Sequence, residues 1–364
     1  MSFSEADVQG ALKNLSDPNT KKDFVSGKSV KNIKITGKDV SLDIVLGYPA
    51  KSVWGEIRSM VEAHLKAALP GSGNISVNVT SKVVSHAVQH GAKLVDGVRN
   101  IIAVASGKGG VGKSTTAVNI ALALAAEGAR VGILDADIYG PSQPTMLGIS
   151  GQPQTSDGNF MAPMNNHGLQ AMSIGFLIGS DDTPMIWRGP MVTQALDQLL
   201  RQTRWDDLDY LIVDLPPGTG DIQLSLAQLV PVTGAVIVTT PQDIALMDAR
   251  KGLKMFEKVS IKIIGIVENM STHICSKCGH EEHIFGTGGG EKMCADYHTE
   301  FLGSLPLDIR IREQTDSGKP TVVADPDGQI SKTYKQIARR IAVKVAEMTQ
   351  SHSTVFPKVV VQNT

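Results

Sequence analysis

The chain has 364 residues, 41% hydrophobic and 20% charged, enough to bury a full core in one large domain with a smaller one beside it. A formal net charge of -1 leaves no basic field for nucleic acid or anionic membranes, and no apolar run approaches bilayer length. Residues Met1 to Gly10 lack the basic-then-apolar order of a secretory signal, so the expectation is a cytoplasmic protein with neither nucleic acid nor membrane as partner.

The first eighty residues read as a small α+β unit of order αββαβ. An amphipathic helix carries Val8, Leu12 and Leu15. Alternating strands follow at Ile33–Ile35 and Val40–Leu42–Ile44, then a helix with Ile57, Met60 and Val61, and a strand with Ile75, Val77 and Val79. Gly37-Lys38 supplies the turn between the first two strands, and Pro70-Gly71-Ser72-Gly73 separates the second helix from the last strand. Residues 81–98, with His86, His90, Gly91 and Gly97 and no clear period, read as an interdomain linker.

From residue 99 to about 350, strands and helices alternate. Strands are predicted at Ile101–Ala105, Val131–Asp135, Leu211–Asp214, Ala235–Thr239 and Ile263–Val267. That alternation predicts an α/β domain with a doubly wound, mostly parallel sheet, in which Ser106, Asp135, Asp214, Thr240 and Glu268 emerge at the carboxyl ends of strands around one crevice. Residues 152–168, rich in Asn and Gly, read as a turn-rich hairpin insertion. Residues 351–364 read as a tail.

The strongest signal is Gly107-Lys108-Gly109-Gly110-Val111-Gly112-Lys113-Ser114-Thr115, between the first of these strands and a helical pattern. The glycines let backbone N–H groups turn inward around phosphate oxygens at a helix N-terminus. Lys113 neutralises charge, and the Ser114 hydroxyl suits Mg2+. Phosphoryl transfer also needs a metal held near the phosphates and an oriented water, and carboxylates at strand ends fill both roles. Asp214, in Val-Asp-Leu-Pro-Pro-Gly, is expected to hold the Mg2+ shell through water. Asp135 and Asp137 are two apart and share a face of an extended segment, so Asp135 can support the metal while Asp137 positions water; the competing reading, for Asp137 and Asp214, is that such aspartates merely cap following helices. Gly218-Thr219-Gly220 reads as a hinge that could sense a γ-phosphate, or as a rigid turn. Lys108 is unusual, because one lysine suffices for such a loop, and suggests a charge reaching phosphate from across a dimer.

Cys275, Cys278 and Cys294 fall within one short segment, which points to metal ligation or redox chemistry rather than a disulfide framework. Cys275-Ser276-Lys277-Cys278 places two thiolates in one loop, too few for a tetrahedral metal or a cubane cluster. A two-fold dimer can supply the missing pair, since the same patch meets itself. The alternatives are a zinc knuckle completed within one chain by His280 or His283 and Cys294, and a redox-active Cys-x-x-Cys. Cys294 also reads simply as a small buried residue.

With its early lysine, the loop resembles the deviant Walker A motif of the MinD, ParA and nitrogenase iron protein ATPases. Together with LDADIYGPSQP, IWRGPM, VDLPPGTGD, TTPQD, VENMS and CSKCG, in matching order from about Asn100 to Ala324, it resembles the Mrp/ApbC/Nbp35 iron–sulfur cluster carriers. The amino-terminal unit is similar to the MIP18-type domain that precedes such ATPases, here without a cysteine. The resemblance implies a slow P-loop ATPase that carries and delivers a labile 4Fe-4S cluster to apo iron–sulfur proteins. It implies ATP held by Lys113 and the loop amides, Mg2+ on Ser114, Lys108 reaching the partner's nucleotide in a homodimer, and Asn269 recognising the adenine edge. From residue chemistry alone Asn269 is equally a left-handed turn residue. The resemblance also implies a cluster bridged between subunits by Cys275 and Cys278. A MinD- or ParA-like positioning ATPase with a structural zinc knuckle is the alternative, disfavoured by a tail with a proline and one lysine where a basic amphipathic helix belongs.

Overall fold

The computed structural model describes residues 3–85, 94–155, 158–178, 189–275 and 277–353. His86, His90 and Gly91 of the linker, Ile186-Trp187-Arg188 of IWRGPM, Ser276 and the tail from residue 354 lie outside the described residues. The chain divides into two compact units, one running to Val84 with the short stretch Ala126–Gly128, the other taking the rest from Ser85.

The smaller unit has the predicted order. Helix α1 (Glu5–Leu12) opens on a capping box: Ser4 Oγ accepts from the Asp7 amide while the Asp7 carboxylate accepts from the Ser4 amide, satisfying two donors of the open first turn. Strands β1 (Val30–Thr36), β2 (Asp39–Leu46) and β3 (Ile75–Ser81) form one sheet, β1 antiparallel and β3 parallel to β2. Val40, Leu42, Ile44 and Leu46 alternate inward along β2, the period of a half-buried strand. Helix α2 (Trp54–Ala68) sets Ile57, Val61 and Leu65 on one buried stripe and packs on β3.

The larger unit is a βα-alternating domain. Its elements run β4 (Ile101–Ala105), α3 (Lys113–Ala126), β5 (Val131–Asp135), α4 (Gln143–Met146), β6 (Met164–Asn166), β7 (Leu169–Ser173), α5 (Gly189–Arg201) and β8 (Tyr210–Asp214). They continue with α6 (Asp221–Leu229), β9 (Gly234–Thr239), α7 (Asp243–Lys258), β10 (Ile263–Glu268), β11 (His273–Ile274), β12 (Glu281–Glu282), α8 (Gly289–Tyr297) and β13 (Phe301–Ser304). Helices α9 (Ile309–Asp316), α10 (Thr321–Ala324) and α11 (Gln329–Ser353) close the chain. Eight strands pair in the order β13-β10-β9-β4-β8-β5-β7-β6, all parallel except β6 on β7. Every residue of β4, β5 and β8 is buried, as befits strands covered on both faces, which is why they read as continuous apolar runs.

The strand order reverses beside β4: the chain leaves it toward β5 and β8 on one side and later fills the other side with β9 and β10. Such a switch point opens a crevice at the carboxyl ends, and the β4–α3 loop lies there. Within 152–168 an antiparallel bridge joins Thr155 to Met161, and the longer hairpin, β6 and β7 around His167-Gly168, runs on into the main sheet, where β7 pairs in parallel with β5. Strands β7 and β13 were not predicted: the polar residues Gln170 and Ser173 and the four-residue length of Phe301–Ser304 weaken their periodic signal. Among the described residues no helix is long and apolar enough to cross a membrane.

Candidate functional site

The β4–α3 loop is shaped by two close approaches. Gly107 passes so near the Asp248 backbone of α7 that any Cβ would collide with it. Gly112 adopts a left-handed φ of 79°, strained for other residues, against the Asn269 side-chain amide. Ser106 Oγ donates to the Lys108 carbonyl at 2.9 Å, closing the loop on itself.

Lys113 opens α3 and is buried, and its ammonium pairs with the fully buried Asp214 carboxylate. The ammonium also donates to Ser114 Oγ at 3.0 Å. Three of the residues picked from the sequence thus meet at one point. Lys108 is half-buried, and its ammonium has no ion-pair partner among the described residues. Gly109 and Gly110 are exposed, Val111 is buried, and Thr115 follows on the first turn of α3 with its carbonyl accepting from the Asn119 amide.

Asp135 lies directly across from Asp214 in the β5–β8 register. Burial, and then the neighbouring Asp214 charge, push its carboxyl up to about 7. The Gln143 amide, the Lys113 charge and the Asp137 amide oppose that shift, and four donors occupy both oxygens: the Ser142 and Gln143 amides at 2.9 and 3.0 Å, Ser173 Oγ at 3.2 Å and the Asp137 amide at 3.2 Å. Asp135 therefore holds the loop that returns to α4. Asp137 stands at the mouth of the site, accepts from the Gly140 amide at 3.3 Å, and is raised by burial against the pull of Lys113. Gly218 is left-handed at φ 103° and donates to the Ser106 carbonyl at 3.0 Å, linking the β8–α6 turn to the start of the phosphate loop.

The donors gathered around Lys113, the Ser114 hydroxyl and the Asp214 carboxylate, are hard oxygens, a set that suits Mg2+ beside phosphate. Gln143 was missed by sequence reasoning. Its side-chain amide donates to Asp214 Oδ2 at 2.9 Å and to the Ser114 carbonyl at 3.2 Å, contacts that depend on residues far away in the chain.

At the end of β10, Asn269 is buried and its side-chain amide donates to the Val111 carbonyl at 2.9 Å, tying the strand to the phosphate loop. The left-handed residue here is Met270, with φ 58°, so Asn269 is not the turn residue. Glu268, expected around the crevice, is turned elsewhere: its carboxylate accepts from the Gly290 amide at 2.6 Å and Ser271 Oγ at 2.9 Å, capping α8. Thr240 is buried, with its hydroxyl on Gln242.

Six residues beyond Asn269 the chain reaches the thiols. Strands β11 and β12 pair as a hairpin, the Cys275 amide donating to the His280 carbonyl and the Gly279 amide to the Cys275 carbonyl, both at 2.9 Å. Cys275 is half-buried and Cys278 exposed. Backbone hydrogen bonds from Lys277 and Cys278, then one from the Cys278 side chain, hold the Cys275 thiol below its usual range. His283 and His273 bond backbone carbonyls of Ser271 and Leu307 through Nδ1 at 2.9 and 3.0 Å, bracing the hairpin, and His280 lies beside Glu282. Cys294 is buried on α8, where burial pushes its thiol up to about 12. Among the described residues no three His, Cys, Asp or Glu side chains converge on a point that could hold a metal ion.

Comparison with known proteins agrees with this architecture. Residues 97–342 match the ParA family model described as NUBPL iron-transfer P-loop NTPase, and residues 5–79 match the iron–sulfur cluster assembly protein model. The chain is 52% identical over 339 residues to the iron–sulfur cluster carrier protein of Escherichia coli (strain K12), covering 93% of this chain and 91% of that one. It is 53% identical over 251 residues to the iron–sulfur cluster transfer protein NUBPL of Mus musculus, covering 68% and 78%. Among solved structures, a nucleotide-binding protein of Archaeoglobus fulgidus in complex with ADP aligns with TM-score 0.56 and 36% identity over 64% of this chain and 90% of that one. The cell division ATPase MinD of Pyrococcus furiosus shares the fold, with TM-score 0.51 and 23% identity over 66% and 98%. With its phosphate loop at the switch point of a parallel sheet and its relatives named for cluster carriage, the chain belongs to the NUBPL-type iron-transfer P-loop NTPases, a family of iron–sulfur cluster carriers.

Proposed function

We propose that the protein is an ATP-dependent carrier whose cargo, a 4Fe-4S cluster, is held between two copies of the chain by Cys275 and Cys278 of each and handed to apo iron–sulfur proteins. The observation that carries this reading is the pair of thiols, Cys275 half-buried and Cys278 exposed, at the tip of a hairpin with no third ligand beside them among the described residues. Two thiolates are half of a four-ligand set, and a two-fold axis supplies the other half. The carrier names of the relatives support the cargo, and the ADP named with the Archaeoglobus fulgidus protein supports the nucleotide.

At the nucleotide, Lys113 and the amides of Gly107 to Thr115 take the phosphates. A β- or γ-phosphate competes with Asp214 for the Lys113 ammonium and so frees that carboxylate to face Mg2+ together with Ser114. When bound, Mg2+ neutralises charge developing on the phosphates. Asp137, at the mouth, orients the attacking water, and Asp135 holds the loop that carries Asp137. Lys108, with no ion pair among the described residues, reaches the partner's nucleotide, and Asn269 exchanges its Val111 contact for the adenine edge.

Anaerobic reconstitution of the full chain with iron and sulfide, read by absorbance and Mössbauer spectroscopy, tests the reading. Wild type is expected to take up one 4Fe-4S cluster per two chains, and Cys275→Ala and Cys278→Ala to take up none. Retention of zinc with no cluster uptake would establish the knuckle instead.

A further inference from the structure

Gln143, the first residue of α4, is 1% exposed. The orientation of its amide is fixed by chemistry: the nitrogen donates to the Ser114 carbonyl and to Asp214 Oδ2, and reversing the group would set its oxygen against a carbonyl and a carboxylate. The oxygen Oε1 is buried and has no hydrogen-bond partner among the described residues. A buried acceptor left without a donor is destabilising, so such an atom marks a place where a donor arrives. The Lys113 ammonium, which shares Asp214 with this amide, is already committed to Asp214 and Ser114 Oγ. A donor brought in with a ligand would complete the site.

We propose that Gln143 is a positioning residue of the nucleotide–magnesium site: its amide nitrogen holds Asp214 against the phosphate loop, and its free oxygen accepts a hydrogen bond from a water on the magnesium ion. The inference rests on the reading of this site as a Mg2+–ATP site. Magnesium keeps several of its waters in protein sites, and each is a polarised donor that needs an acceptor once buried. Asp214 and Ser114, the hard-oxygen groups beside such an ion, are the two residues that the Gln143 nitrogen ties together. The same residue uses its backbone amide to hold Asp135, so one side of α4 connects the ends of β5 and β8 to α3.

The test is titration of the full chain with a fluorescent ATP analogue, in magnesium and in EDTA, for wild type, Gln143→Leu and Gln143→Asn. Leucine keeps the volume and removes the amide; asparagine keeps the amide and withdraws it by one methylene. Both are expected to weaken binding about tenfold in magnesium and less than about twofold in EDTA, as loss of a hydrogen bond to a charged centre does. Half-saturation by magnesium at fixed nucleotide should rise by a similar factor, with the apo unfolding midpoint recorded alongside. Equal losses with and without magnesium would show a packing role only, and unchanged affinity would show that Oε1 meets an ordinary buried water; either overturns the inference. A wild-type chain that binds nucleotide no better with magnesium than without it would instead remove the reading on which the inference rests.

Discussion

The ion pair of Lys113 with Asp214 is the most consequential side-chain contact in the molecule. Both partners are buried, and Asp135 faces Asp214 across the strand register, so the ammonium neutralises a site that would otherwise hold two carboxylates in a low dielectric. Lys113→Ala is expected to abolish nucleotide binding and to destabilise the empty protein by about 3 kcal/mol or more, measured by urea unfolding, because a charge is left uncompensated. Adding Asp214→Asn should recover much of that loss. Asp135 gives the site a pH signature. Its folded carboxyl sits at about 7, above the unfolded value of about 3.9, so its contribution to stability is complete below about 3.9 and is lost as the pH rises through about 7. Asp135→Asn should therefore flatten the decline in apo unfolding free energy between about pH 4 and 7, whatever it does to absolute stability. Most of these residues were legible from the sequence because the phosphate loop and the strand-end aspartates have fixed spacings. Gln143 was not, because glutamine carries no charge to attract notice and its partners Ser114 and Asp214 are 29 and 71 residues away.

Among the elements, strands buried on both faces were easiest to read: β4, β5, β8, β9 and β10 are apolar runs with an acidic or hydroxyl residue at the end or, for β4, just past it at Ser106. Strands β6 and β7 were harder because their sequence is that of a surface hairpin. What makes them sheet is the pairing of β7 with β5, a tertiary contact that propensity does not carry. The β10 end shows how one element serves two neighbours. Asn269 reaches the phosphate loop, while Glu268 caps α8 and anchors Ser271. A carboxylate at a helix N-terminus complements the helix dipole, and Glu268→Ala is expected to cost about 1–3 kcal/mol through the unpaired Gly290 amide. Hydrogen exchange should then quicken in residues 271–282, which lean on Ser271, relative to α3. Unchanged exchange there would mean that the hairpin is braced by His273 and His283 alone.

For the whole molecule, the two-unit organisation follows from a change of pattern along the chain, from half-buried alternating strands to fully buried ones. A cluster shared by two chains makes a mass prediction: on anaerobic loading, sedimentation velocity should show wild type shifting to twice the monomer mass, and Cys278→Ala failing to make that shift. One connection within the larger unit ties its two chemistries together. Only residues 270–274 separate the Asn269 amide, fastened to Val111, from Cys275, fastened in its hairpin. On the proposed reading, a base that draws Asn269 off Val111 would act on the sulfur-bearing fingertip through this short segment, itself fastened at Ser271 to Leu305 and at Thr272 and His273 to Leu307, so the purine end of the fuel and the grip on the cargo would share one anchored connection.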